Sequence, residues 1–552
     1  MPKPISLFSA GILFVGGILT WPIRATAANN KLPAAAIRAV ANEIRAEATR
    51  PNFSKRGRPL PLACSWITRE GWGPGAQLRL IQQGHFLLPS FAFPGHPNPR
   101  SYYSQAFINY YKRPLEQARQ LKLPICLLNI GSWGPVGELA TSPAYWRLPP
   151  RQNPDVVTAK GEVLHQVSPF GAIQPWRNVG RLWIRNAAME KLQQWYPNPP
   201  RVIFLFDNEA PRLVWSQAPE DRRYLTRYGR GRDDYFKKQV AGDGWITRYR
   251  MLHKTMRNSL VAPAWKKHLV IIGYNAGNTA YWPYWLKFSM YIPGRVDIAP
   301  LMWDGGDVPY YLDASNPITY YTDLSPQIDF MNLALQLPAM YRLNPSFWYE
   351  ISPWDGHNPA PQATAATDKL KYFARMGEPF TPVRYEGFVQ FGMWLLRPRA
   401  VRYFAIPPSR AMEKSPYFRA LVAAVDRIYH NRILRQWWRH GKLLVVHRRT
   451  AESGASREIR GNKHWFLLQA TCNPKQPWTL STTIPVMSLA LTRGPAPNRQ
   501  WLVYAEAPMG QRNSVRISIP SYRAISVNVP EGGAFYQLSE KTGGVKLVQE
   551  TK

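Results

Sequence analysis

Eight near-continuous apolar runs, separated by connections long enough to hold helices, constrain this 552-residue chain more than any other feature. They lie at 61–66, 85–91, 124–129, 202–208, 268–274, 296–303, 346–350 and 387–394. Each is short and bounded by turn residues, and none shows the sustained alternation of a half-exposed strand. Such runs are expected of strands covered on both faces. Helical patterns over 106–122, 176–196, 234–257 and 323–341 fall between several of them, and Pro197, Pro199 and Pro200 stop the second. Strands alternating with helices build a parallel sheet, and eight such units predict a (β/α)8 TIM barrel over 58–410. An open doubly wound sheet is the alternative. It calls for a glycine-rich phosphate-binding first turn, which the sequence lacks.

The character of the chain changes after about residue 410. Residues 411–440 read as a basic helical connector. From 441 to 552 short strand patterns with turns predict an all-β sandwich domain. At the other end, Lys3, the apolar stretch 5–21 and Ala25-Thr26-Ala27 form the pattern of a signal peptide over 1–27. The expected mature start is near Ala28, followed by a helix and linker over 28–57; the alternative is an uncleaved anchor. No second stretch is apolar enough to span a membrane, so a secreted or periplasmic protein without stable membrane insertion is expected.

The formal charge of +36 comes from 70 Lys+Arg against 34 Asp+Glu. Charged residues make up 19% of the chain, below the roughly 25% usual in globular proteins. The deficit lies in the acids. The bases are scattered, with no long Lys/Arg run and no nucleic-acid module, so no nucleic-acid partner is expected. Two readings of the charge are compatible. A protein working in an acidic environment loses little by lacking carboxylates, and a positive field attracts an anionic polymer. The three cysteines, Cys64, Cys126 and Cys472, are too few for a disulfide framework or a zinc site. Cys64 and Cys126 read as small buried apolar residues, or as one bonded pair. The ten histidines do not cluster, and no metal or cofactor motif is present.

Two of the apolar runs end in glutamate: Val202-Ile203-Phe204-Leu205-Phe206-Asp207-Asn208-Glu209 and Ser346-Phe347-Trp348-Tyr349-Glu350. A carboxylate at the end of an apolar strand is costly to bury without a partner or a role. Two of them, on the fourth and seventh strands, point to acid/base and nucleophile chemistry on a sugar. In this arrangement the chain resembles the retaining glycoside hydrolases of the large barrel superfamily, the clan A type, over 58–410. That resemblance implies Glu209 as general acid/base, Glu350 as nucleophile and Asn208 as a partner of the sugar 2-hydroxyl. It also implies a carbohydrate substrate, and a tryptophan sugar platform at the end of strand eight, which would be Trp394. The family usually carries an arginine at the end of strand two. Here that strand runs to Phe91, Phe93 and His96, and Arg69, after strand one, is the nearest candidate.

Other residues at expected strand ends complete the candidate site. Trp66 follows strand one, Asn129 ends strand three, Tyr274 and Asn275 end strand five, Trp303 and Asp304 end strand six, and Trp354 follows strand seven. Aromatic rings pack on the apolar C–H faces of sugars, whereas core packing is the structural reading of the same residues. Asp304 and Asp307, in Trp303-Asp304-Gly305-Gly306-Asp307, read as turn-forming residues, with bonding to sugar hydroxyls or proton donation in place of Glu209 as the alternatives. The expected activity is a retaining β-glycosidase acting on a polysaccharide or oligosaccharide. A non-catalytic carbohydrate-binding protein and an inverting hydrolase are the alternatives.

Overall fold

The computed structural model describes, apart from isolated positions, residues 61–64, 90–93, 118–129, 134–206, 212–274, 305–311, 347–352, 382–396, 401–404, 416–444, 486–507, 511–519 and 522–549. Eight strands form one all-parallel sheet: β1 (Pro61–Cys64), β2 (Ser90–Ala92), β3 (Ile125–Asn129), β6 (Val202–Phe206), β7 (Leu269–Tyr274), β8 (Gly305–Tyr311), β9 (Phe347–Ser352) and β10 (Val401–Phe404). A small hairpin, β4 (Asp155–Val157) and β5 (Val163–Val167), lies between β3 and β6 in the chain. The spatial order β2-β3-β6-β7-β8-β9-β10-β1 follows the chain, except that β1 lies beside β10. That is the circular order of a barrel. Among the described residues, no ladder joins β1 to β2.

The best-covered strands are β3 and β6. All five β6 residues, Val-Ile-Phe-Leu-Phe, are buried, as a continuous apolar run between two covered faces requires. The helices beside them are α1 (Pro135–Thr141), α2 (Pro143–Trp146), α3 (Gln174–Leu182), α4 (Ala187–Trp195), α5 (Arg222–Tyr228), α6 (Asp234–Ser259) and α7 (Pro263–His268). The 176–196 pattern is two helices, not one. Asn186 breaks it by accepting a hydrogen bond from Met189 N at 2.9 Å, as an N-cap. The 26-residue α6 is started by Asp233, which accepts from Phe236 N at 2.7 Å. Its buried Ala241, Trp245, Tyr249, Leu252 and Met256 recur at three- and four-residue steps, one stripe of the helix. Trp176 of α3 meets that stripe, with ring centroids 5.3 Å from Tyr249 and 6.3 Å from Trp245. Gly180 brings the two helices together: a Cβ there would stand 3.0 Å from Leu252.

The segment 387–394, expected as strand eight, lies within helix α8 (Pro382–Leu396). A continuous apolar run reads the same in a helix covered all round as in a strand covered on both faces. The eighth strand is β10, at 401–404. Likewise Gly305 and Asp307, expected in a turn, lie in β8; the segment 296–303 is outside the described residues.

Helices α9 (Pro416–His430) and α10 (Arg432–His440) lead to a five-stranded sheet of β11 (Lys442–Leu443), β12 (Met487–Arg493), β13 (Gln500–Glu506), β16 (Ala534–Ser539) and β17 (Val545–Leu547), in that order. A hairpin, β14 (Arg512–Ser518) and β15 (Ala524–Val529), completes the unit. One face of the sheet, with Trp501, Val503, Ala505, Tyr536 and Leu538, packs on Ile517, Ile525, Val527 and Val529 of the hairpin. The opposite face meets α8 and α10: Tyr504 lies 6.5 Å from Phe391, and Phe535 5.3 Å from Trp394, centroid to centroid. The sheet is thus layered between a hairpin and helices. Among the described residues, no helix is long and apolar enough to cross a membrane.

Candidate active site

The ladder registers sort the strand positions by face. Phe206, Gly273, Gly306 and Phe347 share one rung across β6, β7, β8 and β9. Successive residues of a strand alternate between faces, and rung partners share one. Phe204 and Phe206 lie on the face covered by helices. Phe93 packs on both, at 4.8 and 5.2 Å, and on Trp183, the residue closing α3, at 5.8 Å. Trp183 in turn donates from Nε1 to Glu138 of α1 at 2.6 Å. Phe347 belongs to the same face as Phe206. Glu350, three residues on, belongs to the opposite one.

The eight described strands contain three charged residues, Asp307, Glu350 and Arg402. All three fall on the face opposite Phe204 and Phe206. Asp307 shares a rung with Tyr274 and Trp348, and Glu350 shares one with Pro309 and Arg402. The face shared with Phe204 and Phe206 is uncharged along its whole described length. Segregation of this kind is what a sheet needs when one face is packed and the other holds polar chemistry.

Of the expected site residues, Glu350 lies in β9, which continues two residues further to Ser352. Asn129 and Tyr274 are the last residues of β3 and β7. Asn129 shares its rung with Phe206, and so belongs to the face opposite that of Glu350. Glu209, Asn208, Asn275, Trp303, Asp304, Trp66 and Trp354 lie outside the described residues.

Trp394 is not at a strand end. It lies on α8, fully buried, between Trp438 at 5.3 Å and Phe535 at 5.3 Å. Its indole N–H donates at 2.7 Å to the side-chain oxygen of Gln390, whose amide donates to Ala424 O at 2.8 Å, in the amide orientation that satisfies both. It is a core residue at the seam between α8 and the C-terminal sheet, not a sugar platform.

A second polar group, which the sequence did not point to, is buried beside α5 and α6. Asp221, the N-cap of α5, accepts from Ser168 Oγ at 2.6 Å and from Arg223 Nε and Nη2 at 2.9 and 2.6 Å. Arg223 also donates to the main-chain oxygens of Asn153 (2.8 Å) and Asp155. The Asp155 carboxyl itself is fully buried and has no hydrogen-bond partner among the described residues. Burial pushes it up to about 7, against the pull of Arg223. Arg248 of α6 donates to Gly244 O at 3.0 Å and to Gly171 O, and burial, aided by Arg223, brings it down to about 9. These groups bind mostly backbone carbonyls and pin the β4–β5 hairpin to the helices. They form a structural cluster.

No protein-family model and no curated protein matches the chain. Among solved structures it is similar to a GH5-4 broad specificity endoglucanase from an uncultured bacterium, at 12% identity over 68% of this chain and 95% of that one, TM-score 0.35. It is also similar to an endo-β-1,4-mannanase double mutant from Cellulomonas fimi, at 9% identity over 93% and 97%, TM-score 0.30. A third is the endo-β-1,4-mannanase of Thermotoga petrophila, at 7% over 90% and 94%, TM-score 0.29. At these TM-scores the likeness carries no weight for fold or function.

Proposed function

We propose that this chain is a secreted, retaining β-glycosidase that hydrolyses a polysaccharide or its oligosaccharides, with Glu350 as nucleophile and Glu209 as general acid/base. The observation that carries the reading is that all three charged positions of the eight described strands, Glu350 among them, fall on the sheet face opposite Phe204 and Phe206. In this reading β1 pairs with β2, the sheet closes, and that face lines the interior, whose C-terminal end holds the chemistry.

The reaction follows from two carboxyl groups. Glu209 begins protonated and gives its proton to the glycosidic oxygen as the bond to the anomeric carbon breaks. Glu350, ionised, attacks that carbon and forms a glycosyl ester. Water, deprotonated by Glu209, then displaces Glu350 and restores the starting configuration. Asn208 bonds the 2-hydroxyl, a contact that strengthens as positive charge builds at the anomeric centre. Asp307 of β8 and Tyr274 of β7, which share a rung, supply polar contacts to sugar hydroxyls. The low acid content suits an acidic working environment.

The test is release of reducing ends from soluble glucan, mannan and xylan, with proton NMR of the first product. The wild-type chain is expected to cleave at least one polymer with retention, and Glu350→Gln to abolish turnover while leaving binding intact. Full turnover by Glu350→Gln overturns the assignment. Binding without hydrolysis by the wild type makes the chain a carbohydrate-binding protein instead, and an inverted product makes it an inverting hydrolase.

A further inference from the structure

Glu350 has two neighbours on its rung, Pro309 of β8 and Arg402 of β10. Proline offers no N–H and no polar side chain. Beyond Arg402, among the described residues, the rung ends at Leu62 of β1. One anion and one cation therefore stand side by side between two apolar positions, on strands about 4.8 Å apart. The other acid on this face, Asp307, lies on the opposite side of β9 from Arg402 and two residues earlier in register. The order across three adjacent strands is Asp307, Glu350, Arg402.

We propose that Arg402 is a positioning residue for Glu350: it holds the carboxylate ionised and oriented for attack. The proposal rests on the glycosidase reading and deepens it. A nucleophilic carboxylate must be charged while its partner acid is protonated. Among apolar strand positions and with Asp307 at its flank, Glu350 would otherwise be driven toward the neutral form. A guanidinium contributed by the next strand, at the same register position, opposes both effects. Arg402 is the only basic residue among the described positions of the eight strands. It lies in a four-residue strand that is otherwise Val, Tyr and Phe. A cation placed there without an anionic partner would be a cost with no return.

The experiment is the pH dependence of kcat/KM for the wild type, Arg402→Met, Arg402→Gln and Arg402→Lys. The substrates are 2,4-dinitrophenyl β-cellobioside, β-mannobioside and β-xylobioside, and Glu350→Gln is the control. If Arg402 acts through Glu350, the acidic limb moves up by about one to three pH units in the Met and Gln variants. Lysine, which keeps the charge but loses the planar fork, leaves the limb near its wild-type position and lowers kcat. Circular dichroism reports folding, and the near-isosteric Gln variant decides if Met fails to fold. An acidic limb unmoved in a folded neutral variant, with turnover still dependent on Glu350, overturns the Arg402 proposal and leaves the glycosidase reading standing. A wild type inactive on every substrate and polymer, or one whose turnover survives Glu350→Gln, overturns that reading and the role of Arg402 with it.

Discussion

The indoles of Trp394 and Trp438 meet edge-on, with ring centroids 5.3 Å apart and planes at 82°. The contact ties α8, which follows the seventh strand of the parallel sheet, to α10, which leads into the C-terminal sheet. Both residues are at most 2% exposed. Trp394→Ala should therefore cost about 3–5 kcal/mol by emptying a packed site. Thermal melting checks this, with Trp394→Phe expected to lose less. Because Trp394 lies in the core, KM of any surviving folded variant should not change. A raised KM at unchanged stability would return it to the substrate site.

Asp155 gives the protein a stability that depends on pH. Its carboxyl holds its proton more tightly in the folded chain, where burial raises it to about 7, than in the unfolded one. Its contribution is full below about pH 4, falls as pH rises toward 7, and is level above that. The loss across this window is on the order of 4 kcal/mol. Asp155→Asn, which never ionises, should flatten the decline between pH 4 and 7. Melting temperatures over this range test it. An unchanged slope in the variant would mean that Asp155 is not buried as a neutral acid.

Glu506 offers a second instance of the same sign. It is buried at the end of β13, and burial raises its carboxyl well above the ordinary range. It lies against α8 at Gly387, where an added Cβ would fall 2.2 Å from Glu506 Oε2. Gly387→Ala should destabilise by about 1–3 kcal/mol through overpacking. Glu506→Ala in the same chain should recover part of that loss, because it removes the atom in the way. Tyr504 Oη, placed 3.1 Å from both Gly387 O and Gly532 O, locks the same seam. Additive losses in the double variant would contradict the close approach.

A crystal structure should place the Glu209 and Glu350 carboxyl groups about 5–5.5 Å apart, the spacing of a retaining pair. A gap of about 6.5–9.5 Å would fit inversion instead.

Much of the parallel sheet was legible because burial on both faces leaves long apolar runs: 202–208 and 268–274 correspond to β6 and β7. The same signal misled at 387–394. The stretch 387–394 of α8 is apolar except for Gln390 and packs against Trp438 and Phe535, so its helical periodicity vanishes. The true eighth strand is four residues long with an arginine inside it, too short and too polar to stand out. Gly305-Gly306-Asp307 carries turn chemistry, yet the ladders to β7 and β9 hold it extended. The Asp155, Asp221, Arg223 and Arg248 cluster had no signature, because its partners are mostly carbonyl groups placed by the fold. Within the candidate site, the sequence placed Glu350 on its strand but gave no hint of Arg402 beside it. That neighbour follows from register, which spacing along the chain does not reveal.

As the proposed nucleophile, Glu350 would carry a covalent bond to sugar during turnover. The most direct measurement is intact-mass and peptide mass spectrometry after incubation with 2,4-dinitrophenyl 2-deoxy-2-fluoro-β-glycosides of the disaccharide that the protein turns over. A single glycosyl adduct is expected, mapped to the peptide containing Glu350 and absent in Glu350→Gln. An adduct on another carboxylate, or turnover of the parent substrate with no adduct under conditions that trap a known retaining enzyme, would contradict it.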